Sequence, residues 1–205
     1  MKVDLHTHSI GHRYYYDGTV PDKLTERDKD DIRRLLSWAV DRQLAAIAVT
    51  DHDLSLTGFW AREHAAAVSL PVTVLAGCEC ELYFRGEYIH LLAIHLTRPL
   101  CYTAFTPPEA LVEQIHSQGG LAVLAHPMYY RPGVYQALRD CVDGIEYRNG
   151  AAESRGHNAF TLPMEDGYSG LLLHNSDYHC PDKSSIHQRQ ACFYMDTDLF
   201  RALFP

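Results

Sequence analysis

No run of apolar residues in this sequence approaches the roughly 18 that a membrane-spanning helix requires; the longest, at positions 44–49, is far shorter. No membrane partner is expected. Lysine occurs only at positions 2, 23, 29 and 183, and Lys plus Arg total 18 against 26 Asp plus Glu, for a formal net charge of −8. A chain so poor in positive charge is ill suited to gripping long duplex nucleic acid, which needs a surplus of basic groups facing phosphates. Cys78, Cys80, Cys101, Cys141, Cys180 and Cys192 include no Cys-x-x-Cys pair. That spacing argues against a thiolate zinc site, the chain is large for a disulfide-stapled secreted fold, and most of the six are read as small buried hydrophobes. The opening residues Met1-Lys2-Val3-Asp4-Leu5-His6 lack the apolar stretch and small-residue cleavage site of a secretory signal. A cytoplasmic location is the expectation. Repeats, low-complexity tracts and Ser/Gly-rich linkers are also missing, so residues 1–205 are read as one domain, with 46% hydrophobic residues to fill its core.

What is present is an alternation of short β-rich runs with amphipathic segments. Strands are expected at 2–5, 46–50, 72–75, 80–84, 88–96, 121–125, 144–147, 170–173 and 191–195, with Arg85-Gly86-Glu87 as a tight turn joining 80–84 to 88–96. Helices are expected at 27–42, 57–69, 109–118, 134–141 and 199–204, with weak helical character over 152–163. Such alternation implies βα units around a mainly parallel sheet.

The abundant residue is histidine, thirteen in all, and its positions follow the ends of apolar runs. In Asp4-Leu5-His6-Thr7-His8-Ser9 the two histidines are i and i+2 on a strand, so both rings face one way and can offer nitrogens to one metal ion. An isolated pair would read equally well as two exposed strand-end histidines. Three further stretches alter that balance: Val49-Thr50-Asp51-His52-Asp53, Ala125-His126-Pro127 and Asn175-Ser176-Asp177-Tyr178-His179, with Glu79 and His90 added from the hairpin. Strand ends are where α/β folds carry their sites. A mixed imidazole and carboxylate set suits zinc, manganese or iron.

Taken in order, the DLHTHS segment, Thr50-Asp51-His52-Asp53, Gly77-Cys78-Glu79, Ile89-His90-Leu91-Leu92, Ala125-His126-Pro127, Gly144-Ile145-Glu146 and Ser176-Asp177-Tyr178-His179 resemble the polymerase and histidinol phosphatase (PHP) superfamily across nearly the whole chain. The resemblance implies an α/β fold, a distorted (β/α)7 barrel with its metal site at the C-terminal ends of the strands. It further implies two or three divalent ions and hydrolysis of a small phosphate ester, a phosphomonoester or nucleotide. Attack would come from a metal-bridging hydroxide, with no phosphoenzyme. Position by position it implies His6, His8, Glu79, His90, His126, Asp177 and His179 as metal ligands, and His52 as the ligand of the second motif. His52 and Asp177 are also counted as catalytic. One more ligand, likewise catalytic, is expected just after the first motif, commonly from a Ser-Asp-Gly turn. Here the segment 10–18 is lengthened, and either Asp17 or His12 supplies it, with Asp17 preferred for its Asp-Gly turn signature.

Other residues have plainer readings. Asp4 and Asp51 are read either as partners that orient imidazoles or as caps of loops, Asp53 as a partner or a helix-start residue, and Glu146 as a partner of a ligand or a loop residue. His64 and His116 fall on helices and His95 fits no alternation with His90. A phosphate needs an arginine clamp; of Arg13, Arg131, Arg148 and Arg155, the substrate-binding choices are Arg131 and Arg148. Tyr14-Tyr15-Tyr16 and Tyr129-Tyr130 are candidates for the pocket wall. The motif set also permits a histidinol phosphatase or an exonuclease acting on short oligonucleotides. A metal-binding module without turnover is the alternative of another class. Amidohydrolase chemistry at C–N bonds shares the His-x-His logic but lacks a lysine after a mid-barrel strand. Oligomeric state is left open.

Overall fold

The computed structural model describes residues 1–15, 20–179 and 186–205. In chain order the elements are β1 (Lys2–Thr7), α1 (Glu26–Asp41), β2 (Ala46–Val49), α2 (Leu56–Ala67), β3 (Thr73–Phe84), β4 (Glu87–Ile94), α3 (Pro108–His116), β5 (Leu121–Leu124), α4 (Pro132–Leu138), β6 (Gly144–Asn149), α5 (Gly150–Ser154), α6 (Leu162–Glu165), β7 (Leu171–Asn175), α7 (Ile186–Gln190), β8 (Phe193–Tyr194) and α8 (Thr197–Leu203). None of these helices is long and apolar enough to cross a membrane.

The sheet runs β7-β6-β5-β4-β3-β2-β1-β8. Pairs β1–β2, β2–β3, β5–β6 and β6–β7 are parallel, whereas β4 is antiparallel to both neighbours and β8 is antiparallel to β1. The sheet nearly closes on itself just after β7. There the His8 N–H donates to the Tyr178 carbonyl at 2.7 Å and the Asp177 N–H to the His6 carbonyl at 3.0 Å. This is the distorted barrel expected from the motifs, with helices packed outside it.

Inside, apolar side chains give way to polar and ionisable ones toward one end. Leu75 leads to Glu79 on β3, Val123 and Ala125 lead to His126 after β5, and Leu173 leads to Asn175 on β7. Because β4 runs against its neighbours, the order is reversed there. His90 precedes Leu92 and Ile94, and it reaches the site from the N-terminal half of its strand. β1 needs a correction of its own. Val3 pairs with Ala46 and lies with Leu5 in the inner cluster, yet Thr7 pairs with Val49, which packs outside among α1 and α2 side chains. A register shift between Asp4 and Thr7 makes the switch. Strict alternation would have sent His6 and His8 to the helix side; the irregularity turns them inward.

Helix boundaries follow local chemistry. Thr25 caps α1 in a reciprocal box with Asp28, and Pro108 opens α3. The weakly helical stretch over 152–163 divides into α5 and α6, because Gly156 at φ 85 takes the left-handed position that ends α5. Runs 72–75 and 80–84 join into the single long β3, through Gly77, where a Cβ would lie 2.7 Å from the Ala93 carbonyl. Of the described cysteines, Cys78 and Cys80 are buried, Cys141 and Cys192 are half-buried and Cys101 is exposed, so fewer are buried than expected; Cys180 lies outside the described residues.

Candidate metal centre

Glu79 is the hub. It is buried at 1% exposure, and its Oε1 stands 2.8 Å from His90 Nδ1 and 2.8 Å from His126 Nε2. Its Oε2 stands 3.0 Å from His52 Nδ1, 3.2 Å from His8 Nε2 and 3.3 Å from His6 Nε2. Asp177, in left-handed backbone at φ 51, brings Oδ1 to 3.3 Å from His8 Nε2, 3.6 Å from His6 Nε2 and 3.3 Å from His179 Nδ1. The eight side chains form four overlapping donor sets: His8, His52 and His179; His6, His8 and Asp177; His6, Glu79 and His126; and His52, Glu79 and His90. Every ligand expected without an alternative is therefore in one cluster, while His12, the alternative to Asp17, is in none of the four sets. Asp17 lies outside the described residues.

The donor set fits divalent cations. The Nε2 atoms of His6 and His8 are 3.1 Å apart, a distance at which two imidazole lone pairs need a proton or a cation between them. Glu79 Oε2, both ring nitrogens of His52 and Nε2 of His179 are buried without a hydrogen bond. Such groups are costly to leave unsatisfied. Imidazoles mixed with two carboxylates match zinc, manganese or iron.

Other contacts fix which ring nitrogen faces inward. Glu146 accepts from His6 Nδ1 at 3.0 Å, the His126 N–H at 2.8 Å, Asn175 Nδ2 at 2.7 Å and Asn149 Nδ2 at 3.0 Å. It is thus fully engaged as a support for the His6 ring. Tyr130 OH meets His126 Nδ1 at 3.1 Å, and His179 Nδ1 donates to the Asp177 carbonyl at 2.9 Å, so both rings turn Nε2 to the cluster. The charge balance is local. Burial would depress the buried histidines, but Asp177 and Glu79 outweigh it at His8, held up to about 9, and Glu79 and Glu81 outweigh it at His90, held up to about 10. Burial would likewise raise the Glu79 carboxyl, yet the surrounding imidazoles push it well below its ordinary range. His179 goes the other way, down to about 3, through burial and the charge of His8.

The remaining candidates have distinct places. His12 stacks on His52 at 4.9 Å and on His179 at 4.6 Å between ring centroids, so it lies against the cluster. Asp51 accepts from the Ser9 N–H and Oγ and from the Ile10 N–H, at 2.8, 2.5 and 3.1 Å, and so caps the first loop. Asp4 receives the Ser176 N–H at 3.1 Å, and burial pushes its carboxyl up to about 6. Asp53 holds Tyr102 OH at 2.5 Å and the Glu81 N–H at 2.9 Å. Neither arginine chosen from the sequence has a hydrogen bond or ion pair to the cluster. Arg148 pairs with Glu153 at 2.6 Å, and Arg131 is exposed at the start of α4. Arg155 is the better placed. Its Nη1 reaches Tyr129 OH at 3.3 Å, and the Tyr129 ring stands 5.3 Å from that of His126. Glu81 was not singled out from the sequence, although its i+2 spacing from Glu79 is the legible signal. It bonds Tyr15 OH and stands 3.6 Å from His90 Nε2. Tyr15 in turn covers His52 at 4.4 Å.

A nearly closed βα barrel with imidazoles and carboxylates gathered at one end has the PHP-type fold. It aligns with a protein of Bifidobacterium adolescentis provisionally assigned as a metal-dependent phosphoesterase, over 98% of this chain and 94% of that one, at a TM-score of 0.62 and 16% identity. It aligns also with an amidohydrolase from Chromobacterium violaceum, over 99% and 96%, at 0.61 and 18% identity. These likenesses show the shared fold. No protein-family profile matches the chain. By sequence it is 31% identical over 157 residues, 73% of this chain and 82% of the relative, to the uncharacterized protein MJ1587 of Methanocaldococcus jannaschii, and it belongs to that protein's family.

Proposed function

We propose that the chain is a metal-dependent phosphoesterase that hydrolyses a small phosphate ester at a centre of two or three divalent ions. The observation that carries this reading is the convergence of His6, His8, His52, Glu79, His90, His126, Asp177 and His179 on one buried cluster. Those residues would hold the ions, which supply Lewis-acid polarisation of phosphoryl oxygens and acidify water. The chain's own part is positional. Glu146 and Tyr130 fix the His6 and His126 rings, and Glu79 spans the donor sets. Arg155, steadied on Tyr129, is the proposed phosphate contact.

Ser9, beside His8, donates its hydroxyl to Asp51 at 2.5 Å, and Ser176 gives its own to the His6 carbonyl at 3.4 Å. Asp51 also accepts from the Ser9 and Ile10 N–H groups, so both hydroxyls are held in structural contacts, and direct phosphoryl transfer to water is proposed. The fold shared with an amidohydrolase raises C–N hydrolysis as the second reading. Against it, Lys2 donates to the Arg42 carbonyl at 2.9 Å and Lys29 pairs with Glu26 on α1, so neither joins the cluster.

Elemental analysis combined with phosphate release from ring-bearing and ring-free esters, with added Mn²⁺, tests the proposal. Two or three ions per chain with release from an ester is the expected result. Bound metal with no ester hydrolysed would overturn it.

A further inference from the structure

Past the end of β2 at Val49, β3 and β4 continue as a two-stranded ribbon, with Glu81 opposite His90, Leu82 opposite Ile89 and Tyr83 opposite Tyr88. One face of this ribbon is closed. Cys80, Leu82, Ile89 and Leu91 are buried in a cluster with Leu111 of α3 and Val134 and Leu138 of α4. Alternation puts Glu79, Glu81, Tyr83, Tyr88 and His90 on the other face.

That face begins in the candidate metal centre, where His52, Glu79 and His90 form one of the donor sets. It ends in water. Tyr83 is 43% exposed, Tyr88 55% and Phe105 77%, yet the three rings are gathered, edge to face, with centroids 5.2 Å apart for Tyr83–Tyr88 and 6.0 Å for Tyr83–Phe105. The Tyr83 N–H donates to the Ala104 carbonyl at 2.6 Å and so fixes the backbone beside Phe105. By strand rise, the Tyr83–Tyr88 row stands about 7 Å beyond the Glu81–His90 row. A single sugar bridges such a gap.

Clustered exposed rings are a marker of binding. The open-face positions 79, 81, 83, 88 and 90 carry no lysine or arginine, and Glu81 adds negative charge. The outer end of a ligand would therefore be held by ring stacking and not by phosphate contacts. Resting on the phosphoesterase reading, we infer that Tyr83, Tyr88 and Phe105 form a stacking subsite for a planar ring on the leaving group. The favoured ester is then a nucleoside monophosphate, whose base is one sugar removed from the phosphorus.

The test is equilibrium binding, by calorimetry on the manganese-loaded protein, of the non-hydrolysable methylene phosphonate analogues of the esters guanosine 5′-monophosphate and ribose 5-phosphate. The nucleotide should bind at least about tenfold tighter, within the range that a base–aromatic stack contributes. Tyr83→Ala/Tyr88→Ala should cut that ratio about fivefold or more, while Tyr83→Phe/Tyr88→Phe keeps it. Phe105→Ala, at a mostly exposed ring, should lower the ratio too and keeps the test open if the double alanine variant does not fold. Equal affinity of the two ligands, or a ratio unmoved in the alanine variants, would overturn the subsite. So would an unmoved ratio accompanied by altered sedimentation, which would make this face a contact between copies of the chain. If neither ester is hydrolysed while the ratio behaves as expected, the hydrolytic reading fails and the ring subsite stands.

Discussion

Glu79 shows how much one residue can organise here. One carboxylate faces His6, His8, His52, His90 and His126 within 3.3 Å, so its charge is shared by five rings. Glu79→Gln keeps the shape and removes that charge. It is expected to lower the metal content by at least one ion per chain and phosphate release by about 100-fold or more, since loss of outer partners of ligands alone costs about 10–100-fold. Elemental analysis beside an activity assay checks this, and a variant with full metal and near-native rate would remove Glu79 from the centre. Arg155 lies farther out and should act on binding. Arg155→Ala is expected to raise KM about tenfold and leave kcat within about threefold, the loss of one charge-assisted contact. A fall in kcat at unchanged KM would show that its role is not in ground-state binding.

Among the elements, α1 and α2 hold the site's surroundings in different ways. Asp28, fully buried in the first turn of α1, accepts from the Thr25 N–H at 2.8 Å, Thr25 Oγ1 at 2.7 Å, Tyr14 OH at 2.9 Å and Arg13, so it latches the first loop. Burial would raise its carboxyl, but the Thr25, Tyr14 and Arg13 donors outweigh it and hold it below the ordinary carboxylate value. A depressed carboxyl contributes stability that is present above its unfolded pKa, near ~4, and lost as pH falls through the folded value. Asp28→Asn should accordingly lose about 1–2 kcal/mol at neutral pH. In urea melts across pH, that deficit should narrow below about pH 4; a deficit independent of pH would exclude the charged latch. On α2, Gly58 packs against the sheet backbone. Helix propensity favours alanine there by about 1 kcal/mol. However, a Cβ would stand 2.8 Å from Gly77 N, 2.9 Å from the Val49 carbonyl and 3.0 Å from Ala76 Cα. Gly58→Ala should thus destabilise by about 1–3 kcal/mol, as overpacking does. Stabilisation in the same urea titration would mean that the helix can shift away.

For the molecule as a whole, the cluster joins parts of the chain that lie far apart in sequence. His6 and Asp177 belong to β1 and to the segment after β7, where the barrel closes through two backbone hydrogen bonds. Ions held there should strengthen that seam. At a concentration 100 times Kd, binding to the folded state alone contributes about 2.7 kcal/mol. For a chain of this size that corresponds to roughly 5–10 °C in Tm. Chelation followed by differential scanning should show such a drop, reversed by Mn²⁺. An unchanged Tm would mean that the donor sets do not hold ions in the folded protein.

The candidate ligands came from the ordered motifs that resemble the PHP superfamily; several of them follow apolar runs, whereas His90 precedes Leu91 and Leu92. The βα alternation was legible because hydrophobic periodicity survives in sequence, and the barrel was what the resemblance implied. The reversal of β4 followed from the tight turn at Arg85-Gly86-Glu87. Two things were not legible. The register shift in β1 that turns His6 and His8 inward and the continuity of β3 past Gly77 depend on strand register, which a one-residue offset changes without altering composition. The place of Arg155 was not legible either: spacing from Pro127 and Glu146 favours Arg131 and Arg148, whereas the contact of Arg155 with Tyr129 exists only in the folded chain. The ring cluster on the ribbon was silent as well. Tyr83, Tyr88 and Phe105 are separated along the chain and become one surface only when β3 pairs with β4 and residue 104 is tied to residue 83. Sequence by itself determined which side chains could hold metal, through local pattern; tertiary structure decided which of them face one another, because facing is set by register and closure, and those are properties of the paired strands and not of any one segment.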